Sequence, residues 1–268
     1  MSADVHVLAG GCAHLTQGTC GYPAPGLGDF DFKPIFDIGP WHVTKPELLM
    51  VIVVLAIVGF FWAAFRKPKL VPRGIQSIGE LGILFVRDQI LRQMIGKKGD
   101  RYLPFLVTLF FFIWVMNIME IIPVAQFPVP AHIGFSWILV LLVWLTYMSV
   151  GIRAKGPIGF FRGMIPSGVP WWIMWLLVPI IWFSDILVRP FTLGVRLFAN
   201  MFAGHLLLLV FYLATWYFAY KIGFIFAAGS LVMVIILTGF ELLIQALQAF
   251  IFTMLAAFYI GDSLESAH

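Results

Sequence analysis

Apolar residues run along this chain in long, nearly unbroken blocks, and the polar residues fall mostly between them. Blocks at 46–65, 102–122 and 134–152 each reach the ~20 residues a helix needs to cross the hydrocarbon core of a bilayer, and each predicts a membrane-crossing helix. Two further blocks are over-long: as single helices, 171–219 would extend ~73 Å and 222–259 ~57 Å. Either the first of these holds two spans with a turn near Pro190, or the two are long, strongly tilted helices joined as a hairpin near Tyr220 and Lys221. Residues 74–98 behave differently. There Ile75, Ile78, Leu81, Leu84 and Phe85 alternate with Glu80, Arg87, Asp88 and Arg92. This stripe is too polar to span and predicts an amphipathic helix that lies on the cytoplasmic face or packs on a partner helix. Residues 1–45, rich in Gly, Pro, Asp and His, are expected to be a mostly irregular extracytoplasmic segment. Residues 46–261 form the membrane domain and 262–268 a short cytoplasmic tail.

Composition agrees. Of the 268 residues, 61% are hydrophobic and 11% charged, and the mean hydropathy is +0.97. A soluble globular domain has no use for that much apolar surface, and the alternation of a membrane β-barrel is absent. The fold class is therefore all-α and polytopic, with about five membrane-crossing helices. Net charge is +4, but the placement of the positives carries more information than their sum. Arg66, Lys67, Lys69 and Arg73 follow the first span; Lys97, Lys98 and Arg101 precede the second; Arg153, Lys155 and Arg162 follow the third. Such clusters mark the cytoplasmic side, which puts the N-terminus outside. They also account for the basic pI without a nucleic-acid partner. The two cysteines, Cys12 and Cys20, precede the first span and either form a small disulfide loop or stay free. No basic region followed directly by an apolar core marks a cleavable signal peptide, and no internal repeat is visible.

The chemistry lies in polar residues inside the apolar blocks. A charge at the bilayer centre costs about 2.5–3.5 kcal/mol on insertion scales, so each needs a reason. Arg189, Arg196 and Asn200 are spaced by seven and four and share a helix face. Asp185 lies four before Arg189 and can pair with it near Pro190. Arg196 has no carboxylate within four residues, so its counter-charge must come from another helix or another chain. A guanidinium does not carry protons at neutral pH, since deprotonation would cost about 7 kcal/mol or more. It acts as a fixed positive charge that attracts an ionised carboxylate and repels a hydrated proton. His205, nine residues beyond Arg196, points to the opposite face. Glu241, Gln245 and Gln248 share one face of the last block, and Glu241 opposite His205 makes a pair able to pass a proton. Asn117 and Glu120, near the outer end of the second span, either line a vestibule or solvate an interface. No HExxH, G-x-S-x-G or P-loop pattern is present, and no metal or cofactor is implied.

The run Pro190-x-x-Leu-Gly-Val-Arg196-Leu-Phe-Ala-Asn200-Met-x-Ala-Gly-His205, followed by Glu241-x-x-x-Gln245-x-Leu-Gln248-Ala-Phe-Ile-Phe, closely resembles subunit a of bacterial F-type ATP synthases. The likeness extends to Met116-Asn117-x-Met-Glu120-x-x-Pro123. It implies the static half of a proton-translocating motor in the bacterial plasma membrane, packed against a rotating c-subunit ring. Peripheral-stalk b subunits and the remaining Fo and catalytic-sector subunits complete the complex, and the chain is not itself catalytic. Arg196 matches the arginine that faces each ring carboxylate, with Asn200 and Gln248 beside it on the same surface. His205 and Glu241 match the extracytoplasmic half-channel, to which Gln245, Asn117 and Glu120 contribute. In some bacterial members the acid and the histidine exchange positions. The resemblance also favours the tilted hairpin and a cytoplasmic C-terminus. The rival reading is a self-contained secondary transporter or channel in which Arg196 binds an anionic substrate. Against it stands the absence of the inverted repeat many transporters show.

Overall fold

The computed structural model describes residues 36–38, 41–122, 129–131, 133–163, 171–221 and 223–264. The expectations for residues 1–35, with Cys12 and Cys20, and for 265–268 lie outside them. Two short antiparallel strands, β1 (Phe36–Ile38) and β2 (Trp41–Val43), pair Phe36 with Val43 and Ile38 with Trp41. They add order to a stretch expected to be mostly irregular. Among the described residues, every regular element after them is a helix. Helix α1 (Lys45–Phe65) starts where the Glu47 carboxylate accepts a hydrogen bond from the Thr44 N–H at 2.8 Å, with Pro46 in its first turn. Among the described residues, five helices are long and apolar enough to cross a membrane. This bears out the all-α polytopic reading.

The amphipathic stretch divides. Helix α2 (Ile75–Phe85) turns Ile75, Ile78 and Leu81 outward. A wider π turn follows at Val86–Leu91, then the short α3 (Arg92–Met94). Val86, Ile90 and Leu91 are fully buried in the helical core, so the second half of this stretch follows the packing alternative, while α2 keeps the exposed apolar stripe. Helix α4 (Leu103–Ile118) ends before the predicted 122, in turns closed by Glu120 N–H to Asn117 O and Ile121 N–H to Ile118 O. Helix α5 (Ile133–Gly163) runs past the predicted 152 and breaks at Gly156, whose φ of 73° a side chain would resist; Pro157 follows.

Helix α6 (Trp171–Phe183), a π turn at Ser184–Val188 and α7 (Arg189–Lys221) form one continuous helical path. This decides between the two sequence readings in favour of a single long helix. Pro190 has no N–H and its ring crowds the carbonyl four residues earlier, so an ordinary α-helix would break here. The π turn redirects the Arg189 N–H to Ser184 O, and two carbonyls, Asp185 and Ile186, need other donors. Helix α5 supplies both: Tyr147 Oη donates to Asp185 O at 3.1 Å and Trp144 Nε1 to Ile186 O at 3.0 Å. Side chains of neighbouring helices commonly re-satisfy freed backbone groups in this way inside membranes.

Helix α8 (Phe224–Leu264) folds back along α7 after Gly223, whose φ is 138°. The two long helices form the expected hairpin. Near the turn, the Ser230 hydroxyl donates to Phe211 O at 3.1 Å and Thr215 donates to the Ser230 oxygen at 3.0 Å. At the other end Ala249, Phe252, Ala256, Ala257 and Ile260 of α8 are fully buried against a core that includes Leu106 and Ile113 of α4, Val143 of α5 and Leu193 and Leu197 of α7. The alanines let helices approach closely, the usual source of cohesion where lipid removes the hydrophobic drive. Leu243, Ile235, Leu141 and Leu55 stay exposed on the outside.

Replacing Trp144 and Tyr147 by Phe together leaves both carbonyls unpaired. Unfolding by dodecyl sulfate titration in micelles should show a loss of about 1 kcal/mol, at ~0.6 kcal/mol per membrane hydrogen bond. An unchanged midpoint would mean that the π turn finds other donors.

Candidate functional site

The tightened turn after α4 swings Glu120 between the two long helices. Its Oε2 accepts a hydrogen bond from Gln245 Nε2 of α8 at 2.8 Å, and its Oε1 lies 3.2 Å from His205 Nδ1 of α7. Glu241 sits beside them over the backbone of Gly204. A Cβ built at 204 would collide with both carboxylate oxygens of Glu241, so the carboxylate fills the space that a side chain would take. The carboxylates and amides are deeply buried, with Asn117 and Gln245 at 0%, Glu241 at 3% and Glu120 at 6% exposure, and His205 is half-buried. The histidine's hydrogen-bonding acid is therefore Glu120, where helix faces alone pointed to Glu241. The reason is local. The turn at 117–120 carries Glu120 inward, and Glu241 fills the space left by the missing side chain at Gly204, one residue before His205.

Several atoms of this cluster find no hydrogen-bond partner among the described residues: both amide atoms of Asn117, Glu241 Oε1, Gln245 Oε1 and, farther along α8, Gln248 Nε2. A buried polar group left unmatched costs about 1–3 kcal/mol. In native proteins such groups mark water or function.

Arg196 lies outside the cluster. It is exposed on the outer face of α7, and no hydrogen bond or ion pair joins it to another described residue. Asn200, one turn on, is half-buried, and Gln248 of α8 is buried. Exposed Val195 and Ala199 flank it on α7, with the Thr192 hydroxyl one turn before, and Leu243 and Leu247 are exposed on α8. A lone guanidinium on an apolar helix face is the costly arrangement that the sequence foreshadowed.

Arg189 is neutralised instead. Its Nε lies 2.9 Å from Asp185 Oδ1, as the spacing of four suggests, and its Nη1 lies 2.8 Å from Asp262 Oδ2. The guanidinium also sits over the Tyr259 ring at 5.6 Å. Asp262 was assigned to the tail, yet α8 is helical through Leu264. The signal was present, because Asp262 is fourteen residues beyond Gln248 and so falls near the same face. Along the α7 axis Arg196 lies ~10 Å from Arg189 and ~13 Å from His205. One polar cluster therefore stands on each side of the arginine level, on different faces. Gly204, Asp262, Tyr147 and Trp144 were not anticipated from sequence. Gly204 has no chemistry of its own to mark it. Among the described residues, no group of His, Cys, Asp and Glu is arranged to hold a metal ion.

Comparison with known proteins identifies the family. The family model described as ATP synthase A chain matches residues 48–261. The chain is 45% identical to ATP synthase subunit a of Streptomyces lividans over 261 residues, covering 95% of this chain and 92% of that one. It is 43% identical to ATP synthase subunit a of Frankia alni over 250 residues, covering 91% and 86%. With ATP synthase subunit a of Rhodococcus erythropolis it shares 39% over 252 residues, 91% of each chain.

Arg189→Ala leaves two carboxylates facing each other between α7 and α8. Breaking a fully buried pair costs about 3–5 kcal/mol. With the Arg189 side chain 32% exposed, a smaller loss is expected, about 2 kcal/mol after screening. Thermal unfolding in detergent measures it, and Asp185→Asn in the same chain should return part of the loss.

Proposed function

This chain belongs to the ATP synthase A chain family, and from that membership we propose that it is the static, proton-conducting membrane subunit of a rotary ATP synthase. It forms two offset half-channels against a rotating c-subunit ring, and the peripheral-stalk b subunits hold it in place beside the remaining Fo and catalytic-sector subunits. The chain catalyses no reaction by itself. It lies in the bacterial plasma membrane with its N-terminus outside, its C-terminus in the cytoplasm and its basic loops on the cytoplasmic side.

The observation that carries this reading is Arg196: exposed, on an apolar face, without a counter-charge among the described residues. A passing ring carboxylate supplies the counter-charge. Protons arrive from outside through the cluster of Asn117, Glu120, His205, Glu241 and Gln245. His205 and Glu120 stand in hydrogen-bond reach at 3.2 Å, the distance a proton transfer requires. The unmatched amide and carboxylate atoms of Asn117, Gln245 and Glu241 give water places to bridge the remaining gaps. A protonated ring site is neutral and can cross lipid. On its return it meets the cytoplasmic side and ionises, and Arg196, with Asn200 and Gln248 beside it, holds the ionised form. The same fixed charge blocks a direct leak between the half-channels. The block is worth having, since each proton carries ~2.3 kcal/mol per 100 mV. Arg189 and Asp185, already paired, serve as a structural clamp beside the cytoplasmic path.

Arg196→Ala in the intact synthase should abolish ATP-driven proton pumping into membrane vesicles while raising passive proton permeability, read by a pH-sensitive dye. Full coupled pumping in that variant would overturn the proposal. Gly204→Ala should displace the Glu241 carboxylate and slow pumping severalfold without raising the passive leak; a normal rate would mean that Glu241 works equally well from another position.

A further inference from the structure

Four basic residues, Arg66, Lys67, Lys69 and Arg73, gather where α1 ends, and no part of the proposed proton path uses them. The structure folds them around a cleft of 460 Å³ lined also by Ala63, Ala64, Ile75 and Gln76. The cleft is built, and its walls are fixed at two points. Gln76, 7% exposed, clamps the loop with its amide: Oε1 accepts from the Lys69 N–H at 3.1 Å and Nε2 donates to Lys69 O at 2.9 Å. Gly79 lets α2 approach α1 so closely that a Cβ there would lie 3.3 Å from the Ala64 Cβ. Among the described residues, no carboxylate forms an ion pair with any of the four cations.

The apolar surroundings identify the ligand class. Trp62, 62% exposed, lies one turn before Arg66, whose guanidinium stacks over its ring at 4.8 Å. Such aromatic residues mark the headgroup level of a bilayer. Leu70 and Val71 in the same loop are exposed at 105% and 66%, and the outward apolar residues of α2 continue the surface. Uncompensated cations round a cleft, with bare aliphatic side chains in the same loop, match a ligand that is anionic at one end and apolar at the other. We propose that this cleft binds the headgroup of an anionic phospholipid, with Arg66, Lys67, Lys69 and Arg73 about the phosphodiester and Leu70 and Val71 against the acyl chains. Basic pockets at the membrane surface between helices are known to take such headgroups. The lipid would then be wedged between α1 and α2.

The test titrates the full-length chain in neutral detergent and counts bound lipids by native mass spectrometry. Short-chain phosphatidylglycerol is the probe, with short-chain phosphatidylcholine and inorganic phosphate as competitors. Phosphatidylglycerol should be retained over both competitors, and its affinity should fall with rising salt. Binding should weaken about fivefold for each charge removed in Lys67→Gln, Lys69→Gln and Arg73→Gln, singly and combined. Arg66→Lys with Arg73→Lys, which keeps the charge, should bind nearly as the parent does. If the combined variant fails to fold, the single variants and the salt series carry the same reading. Equal retention of phosphatidylcholine, displacement by inorganic phosphate at equal concentration, or undiminished binding in the charge-removal variants would each overturn the proposal. So would variants that keep their lipid preference but no longer assemble with the other synthase subunits, since the cluster would then be a protein docking surface.

Discussion

Inside a bilayer a backbone carbonyl without a donor has no water to fall back on, and this structure turns on how that constraint is met at Pro190. The proline removes one donor and the π turn at Ser184–Val188 shifts another. Tyr147 and Trp144 of α5 accept the consequence by donating to Asp185 O and Ile186 O. Because those two hydrogen bonds exist, the path from α6 into α7 stays helical. Because it stays helical, Asp185 holds the spacing of four at which it pairs with Arg189 at the head of α7. The functional geometry rests on a repair made by a neighbouring helix.

Polar groups elsewhere divide into satisfied and unsatisfied sets, and the division is informative. Arg189 has two carboxylates and an aromatic face; the Thr215–Ser230 pair closes the turn end of the hairpin. These contacts hold helices together. Asn117, Glu241, Gln245 and Gln248 keep buried atoms unmatched among the described residues, and Arg196 stands exposed. Residues that only support the fold have partners within the chain, and of those proposed to handle ions, Glu120 and His205 are bonded to each other while the others keep atoms in reserve.

Hydropathy made the spans, the hairpin and the polar positions legible, because apolar block length maps directly onto bilayer thickness. The faces of Arg196 and His205 followed from helical periodicity. What sequence did not reveal were interactions between elements. A helix passing unbroken through Pro190 depends on residues more than forty positions away. The choice of Glu120 over Glu241 as the histidine's partner depends on a turn that ends α4 early. Gly204 matters through an absent side chain, and an absence leaves no pattern. Asp262 was read as tail because polar residues near a terminus usually are, although its position on the α8 face was there to be counted. The burial of Val86, Ile90 and Leu91 came from a π turn that rotates the second half of the amphipathic stretch inward.

The pairing of α7 with α8 has a mechanical side as well. The Arg189–Asp262 contact pins one end of the pair and the Thr215–Ser230–Phe211 hydrogen bonds pin the other, with Arg196 between them. Such an arrangement behaves as a beam supported at both ends. A sideways load applied at Arg196 is carried to the two anchors, not absorbed by local bending. In the proposed motor, the charge could then be pulled repeatedly in one direction by each passing ring site and still be found at the same height in the membrane when the next one arrives.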